Sequence, residues 1–449
     1  MTADKISRIN AVSPSFCLAK WLQVTIDLVH GTTQSCHHPK RHRIPLDELA
    51  ADPSALHNTV LKKQQRKMML EGVRPSECDY CWRIEDLNQG LTSDRFVKST
   101  DPWAYPALDR VRAMPWDAPV NPTYLEVMID DRCNFSCMYC MADVSSSVAL
   151  EMKKHGPYRL STPGHRMPQD PPAAEPNPFV AAFWKWLPDI LDGLYTLRIT
   201  GGEPLLSPRF HELLALLARK PNPKLHLIVN SHLGHSDSRI ESFIAQIEPM
   251  ISQRIIGTFD IYTSVDAAGP RAEYIRHGLN YENLLRNVRK TASRLPGSEV
   301  VLMSTFNILS ISSLENLLDD LVDIKASTPN VSIDLSYLAN PTYLRATLAD
   351  EELRSALERL RSSMDGPRKD RFSAHEKEKL RNVITWSLSP EDPAFVEQGR
   401  ADLYSFLREY DRRKHKKFLE IFPEYRGLFV ECKKAYFTKF ADSDPTQSP

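Results

Sequence analysis

No stretch of these 449 residues approaches the roughly 18 uncharged apolar positions that a membrane-spanning helix requires, and the opening MTADKISRIN lacks the apolar segment of a secretory leader. An excess of either charge is missing too: 57 basic side chains face 57 acidic ones, and no run of one sign is longer than a few residues. That balance excludes a chain-wide nucleic-acid or membrane-surface footprint. No internal repeat is evident, so the chain is not an array of one small unit. Cysteine is scarce, eight in all, yet three of the eight crowd into DRCNFSCMYC at residues 131–140. In a chain expected to be soluble and cytosolic, clustered cysteines point to metal ahead of disulfides.

What is present divides into three regions, as expected for a chain too long for one ordinary core. Residues 1–100 hold four cysteines, and LHNTVLKKQQRKMMLEG within them predicts a helix stopped by glycine. A piece this small can depend on bound metal for folding. Residues 120–345 set apolar runs (YLEVMID, LYTLRIT, LHLIVN, IYTSVD, EVVLMSTFN, VSIDLSYL) among amphipathic segments such as SPRFHELLALLARK. That alternation predicts an α/β fold of βα units with a parallel sheet, closing a partial or complete barrel. Residues 346–449, rich in helix formers and charge, predict helices packed on the barrel. The proline-rich HGPYRLSTPGHRMPQDPPAAEPNP interrupts the pattern as a surface insertion, either a lid or an irregular excursion.

Cys133, Cys137 and Cys140 are spaced three and two residues apart. Four thiolates would saturate a zinc ion or an iron–sulfur cluster, whereas three around a cubane leave one iron open to a ligand. Zinc completed by a distant residue such as His232 or His235 is the alternative. The triplet follows the strand TYLEVMID, in the loop at the C-terminal end of a barrel strand where barrel enzymes do chemistry. The next strand end carries LRITGGEPLLSP: Gly201 and Gly202 let the backbone approach a ligand, and Glu203 is an acceptor suited to an ammonium group.

CNFSCMYC, with Tyr139 before the third cysteine, followed by GGEP, resembles the radical S-adenosylmethionine (radical SAM) superfamily over about residues 122–345. The resemblance implies a partial (β/α)6 TIM-like barrel. Cys133, Cys137 and Cys140 would hold a [4Fe–4S] cluster whose fourth iron is chelated by the methionine moiety of SAM. Glu203 and the Gly201–Gly202 backbone would contact the SAM amino group, with Tyr139 by the adenine. Asn230 in IVNSH, and Ser264, Asp266 and Arg276 in YTSVDAAGPRAEYIR, look like the later strand-end segments that contact ribose or carboxylate; ordinary turn and cap roles are the alternative. Reductive cleavage of SAM to a 5'-deoxyadenosyl radical, with flavodoxin or ferredoxin as electron donor, is the activity implied. The protein would supply orientation and exclusion of water.

In the first region Cys17, Gly31 and Cys36 are separated by thirteen and four residues, and ECDYC adds Cys78 and Cys81. A strand–turn–strand with glycine at the turn would bring Cys17 and Cys36 together. This spacing resembles part of the SPASM or twitch auxiliary-cluster domains of radical SAM enzymes, although those usually follow the barrel. RKMMLEGVRPSECDYCWRIEDLNQGLTSDR looks like the N-terminal segment of twitch-type members, some of them phage-encoded. The resemblance implies a second [4Fe–4S] cluster on Cys17, Cys36, Cys78 and Cys81; structural zinc is the alternative, with His37 and His38 as further candidate ligands. Cys432 reads as a buried small hydrophobe or, more sharply, a hydrogen-atom donor. DRRKHKKF at 411–418 reads as a solvated helix face or an anion site. The substrate class, whether peptide, nucleotide or glycan, is left open. A non-catalytic iron–sulfur or zinc module retaining the barrel is the alternative to an enzyme.

Overall fold

The computed structural model describes residues 2–87, 92–162 and 173–440. It divides into two compact units, the first built from residues 1–130, 170–229 and 249–259 and the second from 131–169, 230–248 and 260–449. Compactness thus cuts the chain differently from the sequence reading of 1–100, 120–345 and 346–449. The strands in chain order are β1 (Gln23–Asp27), β2 (Thr32–Gln34), β3 (His42–Arg43), β4 (Tyr124–Asp130), β5 (Ser136–Cys137), β6 (Thr196–Gly201), β7 (Asn222–Asn230), β8 (Ile256–Ser264), β9 (Arg276–His277), β10 (Glu299–Phe306) and β11 (Val331–Tyr337).

In the first unit β1, β4, β6 and β7 are parallel neighbours, and β2 and β3 continue from β1 as an antiparallel meander. The first parallel strand therefore comes from the N-terminal hundred residues: Gln23 to Asp27 pair with Tyr124 to Met128 in register. QVTID is short and half polar, so it reads from sequence only as an arm of the hairpin, which it also is. The helix Pro208–Arg219 illustrates how the sequence builds the layer beside the sheet. Proline occupies its first turn, where the missing N–H costs nothing, and Phe210, Leu213, Leu214 and Leu217 form a buried face at helical spacing. The expected helix in 56–72 runs Val60–Leu70, with the Thr59 hydroxyl accepting from Lys62 N and Gly72 in a left-handed conformation just beyond its end.

In the second unit the C-terminal part of β8 pairs parallel with β10, and β10 with β11. β5 and β9 form a small separate antiparallel ladder. The expected C-terminal helices are present, but LYSFLREYDRRKHKKFLEIF is not one helix. Pro393–Lys414 ends where His415 adopts φ +52°, and a short turn of helix, Phe418–Ile421, follows. Of the proline-rich insertion, residues 163–172 lie outside the described residues. Among the described residues no helix is long and apolar enough to cross a membrane.

The turn between β1 and β2 is set by Gly31, at φ +66°; a Cβ built there would lie 2.1 Å from ring carbons of Phe179. Gly31→Ala should therefore cost about 1–2 kcal/mol for the left-handed backbone and a further ~1–3 for overpacking. Adding Phe179→Leu should recover only the second part. Thermal denaturation of the single and double variants checks this, and a Gly31→Ala melting curve matching the parent would remove glycine's role in the turn.

Candidate active site and metal centre

The cysteine loop begins one residue after β4. Its shape is fixed within the second unit by short-range bonds: Cys133 N donates to Ser146 Oγ at 3.1 Å, Ser147 Oγ donates to the Cys133 carbonyl, and Ser145 caps the helix Ser146–His155. The β5–β9 ladder pairs Cys137 with Arg276 across strands, and Met138 N donates to Ile275 O at 2.9 Å. That register explains why the Arg276 Nη1 comes within 3.7 Å of Cys137 Sγ. Phe135 N reaches Cys133 Sγ at 3.4 Å.

Arg276 is buried, and its charge is met by Asp266, which is fully buried: Arg276 Nε lies 2.8 Å from Asp266 Oδ2. The Tyr139 hydroxyl donates to the same Oδ2 at 2.9 Å and also contacts Arg276 Nη2, while Thr305 N, near the end of β10, donates to Asp266 Oδ1 at 2.8 Å. Four residues singled out in the sequence, Cys137, Tyr139, Asp266 and Arg276, thus form one buried polar network. Burial drives the Tyr139 hydroxyl well above its ordinary pKa, so it stays a donor. Asn230 Nδ2 reaches Met303 Sδ at 3.8 Å, and Met303 is the cross-strand partner of Ser264, so these two strand-end residues flank one methionine. His232 is committed elsewhere. Its Nε2 meets Asn134 Oδ1 at 2.9 Å, its Nδ1 accepts from Gly234 N at 3.0 Å, and its ring stacks on Phe135 at 3.7 Å.

In the first unit, GGEP sits where β4 and β6 end. Their ladder shifts register between Met128 and Asp130, a bulge of the kind that re-aims a strand end. Gly201, at φ +132°, lies so close to β4 that a Cβ would fall 2.2 Å from the Asp130 carbonyl oxygen, and Gly202 N donates to that oxygen at 3.0 Å. Asp130 Oδ2 also accepts from Ser207 Oγ at 2.8 Å. Glu203 is 1 % exposed and accepts from Leu205 N at 3.1 Å through Oε1, so it caps its own turn as well as offering a carboxylate.

Cys17, Cys36, Cys78 and Cys81 line one cavity with Lys20, Arg95 and Lys98. The hairpin through Gly31 carries Cys36 back toward Cys17, and the turn Ser76–Cys78 leading into the helix Asp79–Asp86 supplies the other two. Burial pushes the Cys36 thiol up to about 11 and those of Cys78 and Cys81 up to about 12. Unaided, these thiols stay protonated, and metal binding would release their protons. The sulfurs have polar company suited to thiolates: His38 N reaches Cys36 Sγ at 3.5 Å and Ser99 Oγ reaches Cys17 Sγ at 3.8 Å. Lys20 is buried; burial opposes its charge, but Cys78 and Glu77 hold its ammonium above the ordinary value, and it contacts both Glu77 and Gln65. His38 pairs with Asp94 at 2.6 Å and stacks on Tyr80, and burial lowers His37 to about 4. Among the described residues no three cysteine sulfurs lie together within 4.8 Å of one another. Lys20, Arg95 and Lys98 are polar residues around these thiols that sequence reading missed; no local spacing marks them. Cys432 stands apart, 1 % exposed and pushed up to about 12 by burial, which favours the inert hydrophobe over a hydrogen-atom donor.

Residues 127–321 match the family model described as Radical SAM superfamily. Among curated relatives, the GTP 3',8-cyclase of Mycobacterium ulcerans (strain Agy99) is 29% identical over 143 residues, 32% of each chain. That of Shewanella denitrificans is 29% identical over 158 residues, 32% of this chain and 40% of the relative. The chain therefore spans about a third of the length of the curated relatives it matches. Among solved structures, Streptococcus suis SuiB bound to precursor peptide SuiA covers 85% of this chain and 78% of its own, at 12% identity and a TM-score of 0.36. SuiB alone covers 76% and 68%, at 11% identity and a TM-score of 0.34.

The polar network makes a graded prediction. Asp266→Asn leaves a buried guanidinium without its counter-charge and should cost about 3–5 kcal/mol, whereas Tyr139→Phe removes the hydroxyl's two hydrogen bonds, to Asp266 and from Arg276, but leaves the ion pair and should cost about 1–3. Urea denaturation of both variants checks the order; equal losses would show that the ion pair is not what holds the network.

Proposed function

Residues 127–321 of this chain are a radical SAM domain, and from that premise we propose that the protein is an enzyme in which Cys133, Cys137 and Cys140 hold a [4Fe–4S] cluster that binds SAM. The observation that carries the reading is the Cys137–Arg276–Asp266–Tyr139 network, which fixes one cysteine of the triplet to a buried, charge-balanced scaffold. Bound there, the cluster supplies the electron that cleaves SAM to methionine and a 5'-deoxyadenosyl radical able to take hydrogen from a substrate. The chain's own contribution is binding and orientation. Glu203 and the Gly201–Gly202 backbone hold the SAM amino group, Tyr139 lies by the adenine, and Asn230, Ser264, Asp266 and Arg276 serve the ribose and carboxylate or support the residues that do. The core spans 120–345, and the helices of 346–449 complete the chain.

The same reading assigns Cys17, Cys36, Cys78 and Cys81 to a second [4Fe–4S] cluster in a twitch- or SPASM-like region, residues 1–100. The shared cavity of the four cysteines and the cations Lys20, Arg95 and Lys98 around it support this reading. A flavodoxin or ferredoxin donor and a cytoplasmic location belong to this reading. Peptide, nucleotide and glycan substrates all belong to this reading, and the curated relatives that carry the name GTP 3',8-cyclase support the nucleotide class among them.

Anaerobically reconstituted protein should carry about eight irons per chain, and Cys133→Ala/Cys137→Ala/Cys140→Ala about four. The triple variant should make no 5'-deoxyadenosine with dithionite. Any one of Cys17→Ala, Cys36→Ala, Cys78→Ala or Cys81→Ala should retain some uncoupled SAM cleavage, provided circular dichroism shows a folded chain. Stoichiometric zinc with four irons would overturn the auxiliary cluster, and 5'-deoxyadenosine from the triple variant would overturn the assignment of the first.

Glu203→Gln keeps size and loses charge. SAM binding should weaken by about 1.5–3 kcal/mol, roughly ten- to a hundredfold, at unchanged iron content. Unaltered affinity would reduce Glu203 to the cap of its own turn.

A further inference from the structure

A second cavity, of about 540 Å³, opens in the second unit well separated in sequence from the cysteine loop's ligands. Four arginines line it, Arg159, Arg408, Arg412 and Arg413, with Glu409 as the one lining carboxylate. Four positive charges less one negative leave a local excess of +3 in a chain whose total is zero. Tyr436, from the C-terminal helix, forms part of the wall.

Two of the guanidiniums, those of Arg412 and Arg413, are held by Glu409, while the side chains of Arg159 and Arg408 are exposed. Glu409 takes Arg412 through both carboxylate oxygens at 2.7 Å and Arg413 Nε at 2.6 Å, which holds its own carboxyl down to about 2, chiefly through the Arg412 bonds. Arg413, its side chain 1 % exposed, lies 3.9 Å over the Tyr158 ring, and its Nη1 has no hydrogen-bond partner among the described residues, only Glu151 at 3.6 Å. The segment bearing Arg159 is tied to the helix Pro393–Lys414. Ser405 Oγ donates to the Arg159 carbonyl at 2.7 Å, and Asp402, fully buried, accepts from the backbone and hydroxyls of Ser161 and Thr162. Neither Arg159 nor Arg408 has a carboxylate partner among the described residues; Arg408 rests 5.6 Å over the Tyr404 ring.

Cations in the last turn of a helix are commonly explained by the helix dipole, and Arg412 and Arg413 sit there. The dipole does not account for Arg408, more than a turn earlier, nor for Arg159, which arrives from another segment and is fastened in position. Like charges gathered from two segments repel one another unless an anion joins them. Guanidinium forks match phosphate oxygens, and the cavity volume is that of a small-molecule site. We propose that this cavity binds a small molecule through its phosphate group, with Arg159 and Arg408 as the free forks and Arg412 and Arg413 held beside them by Glu409.

The test is calorimetric titration of the reconstituted protein with inorganic phosphate, ribose 5-phosphate and a nucleoside 5'-monophosphate, against Arg159→Ala/Arg408→Ala and Glu409→Gln. Binding should weaken at least tenfold in the double variant and tighten in Glu409→Gln, where a competing carboxylate is gone, with circular dichroism and iron content unchanged in both. Tighter binding of the sugar phosphate and the nucleotide alike would assign a sugar phosphate. A gain confined to the nucleotide would assign a base beside Tyr436. Absence of millimolar binding to the parent protein, or equal affinity in the double variant, would overturn the proposal. Neither result touches the iron or 5'-deoxyadenosine measurements, so this site and the radical SAM reading stand or fall separately.

Discussion

A guanidinium buried beside a thiol needs a counter-charge close by, and in this protein Asp266 provides it. The charge of Arg276 is met by a carboxylate with both oxygens in use, one toward Arg276 and Tyr139 and the other toward Thr305 N. Taking either ion away leaves the other desolvated and unpaired, which costs more than the pair gains by existing. Three pieces of backbone are fixed by this one requirement: the cysteine loop through Cys137 and Tyr139, the segment after β8 through Asp266, and the end of β10 through Thr305. The loop's own bonds, such as those of Cys133 to Ser146 and Ser147 and of Cys140 N to the Cys137 carbonyl, are all local, and this network adds the ties to distant segments.

The four N-terminal cysteines meet the same problem with a different cation. Burial raises the thiols of Cys36, Cys78 and Cys81, and a nearby positive charge is Lys20, itself buried and contacting Glu77. Lysine is a point charge that can serve several sulfurs at once, whereas Arg276 is a planar fork committed in fixed directions. The difference follows the surroundings: at Cys17, Cys36, Cys78 and Cys81 the cation stands beside a cavity wall, and at Cys137 it is a rung of a two-residue ladder. In both places a neighbouring cation lowers the cost of making thiolates without removing it, and a metal bound there, as proposed, would supply the rest.

Sequence pattern carried the parallel strands well, because strands covered on both faces read as nearly continuous apolar runs; β4, β6, β7, β10 and β11 fall on the expected segments. It carried β1 poorly, since QVTID is brief and its pairing with β4 is a contact across a hundred residues that no local periodicity reports. Among candidate site residues, Tyr139, Asp266 and Arg276 were visible as types at strand ends, but their union was not, because it depends on the register of β5 on β9. Lys20 was invisible for the opposite reason: a lysine in a run of apolar residues looks like a snorkelling surface group until the cavity around it is seen. His232, whose type suggested a ligand, meets Asn134 and Gly234 through its ring nitrogens, contacts that no local spacing reports.

Charge is where sequence and structure diverge most. The exact cancellation of 57 by 57 rules out a global field, yet it says nothing about how the charges are sorted in space. Folding sorts them unevenly. Lys290 and Arg294 meet Asp237, Glu241 and Glu248 in an exposed network that neutralises itself, as solvated helix faces usually do. DRRKHKKF, by pattern another such face, is split at His415: Arg412 and Arg413 pair with Glu409 one turn back on the same helix, while beyond the break Lys416 reaches the Glu273 carbonyl. A run of like charge becomes a site only when the fold adds further cations to it and withholds the carboxylates that would cancel them. Here the tether of Ser161 and Thr162 to Asp402 adds Arg159, and Glu409 is the one carboxylate lining the cavity.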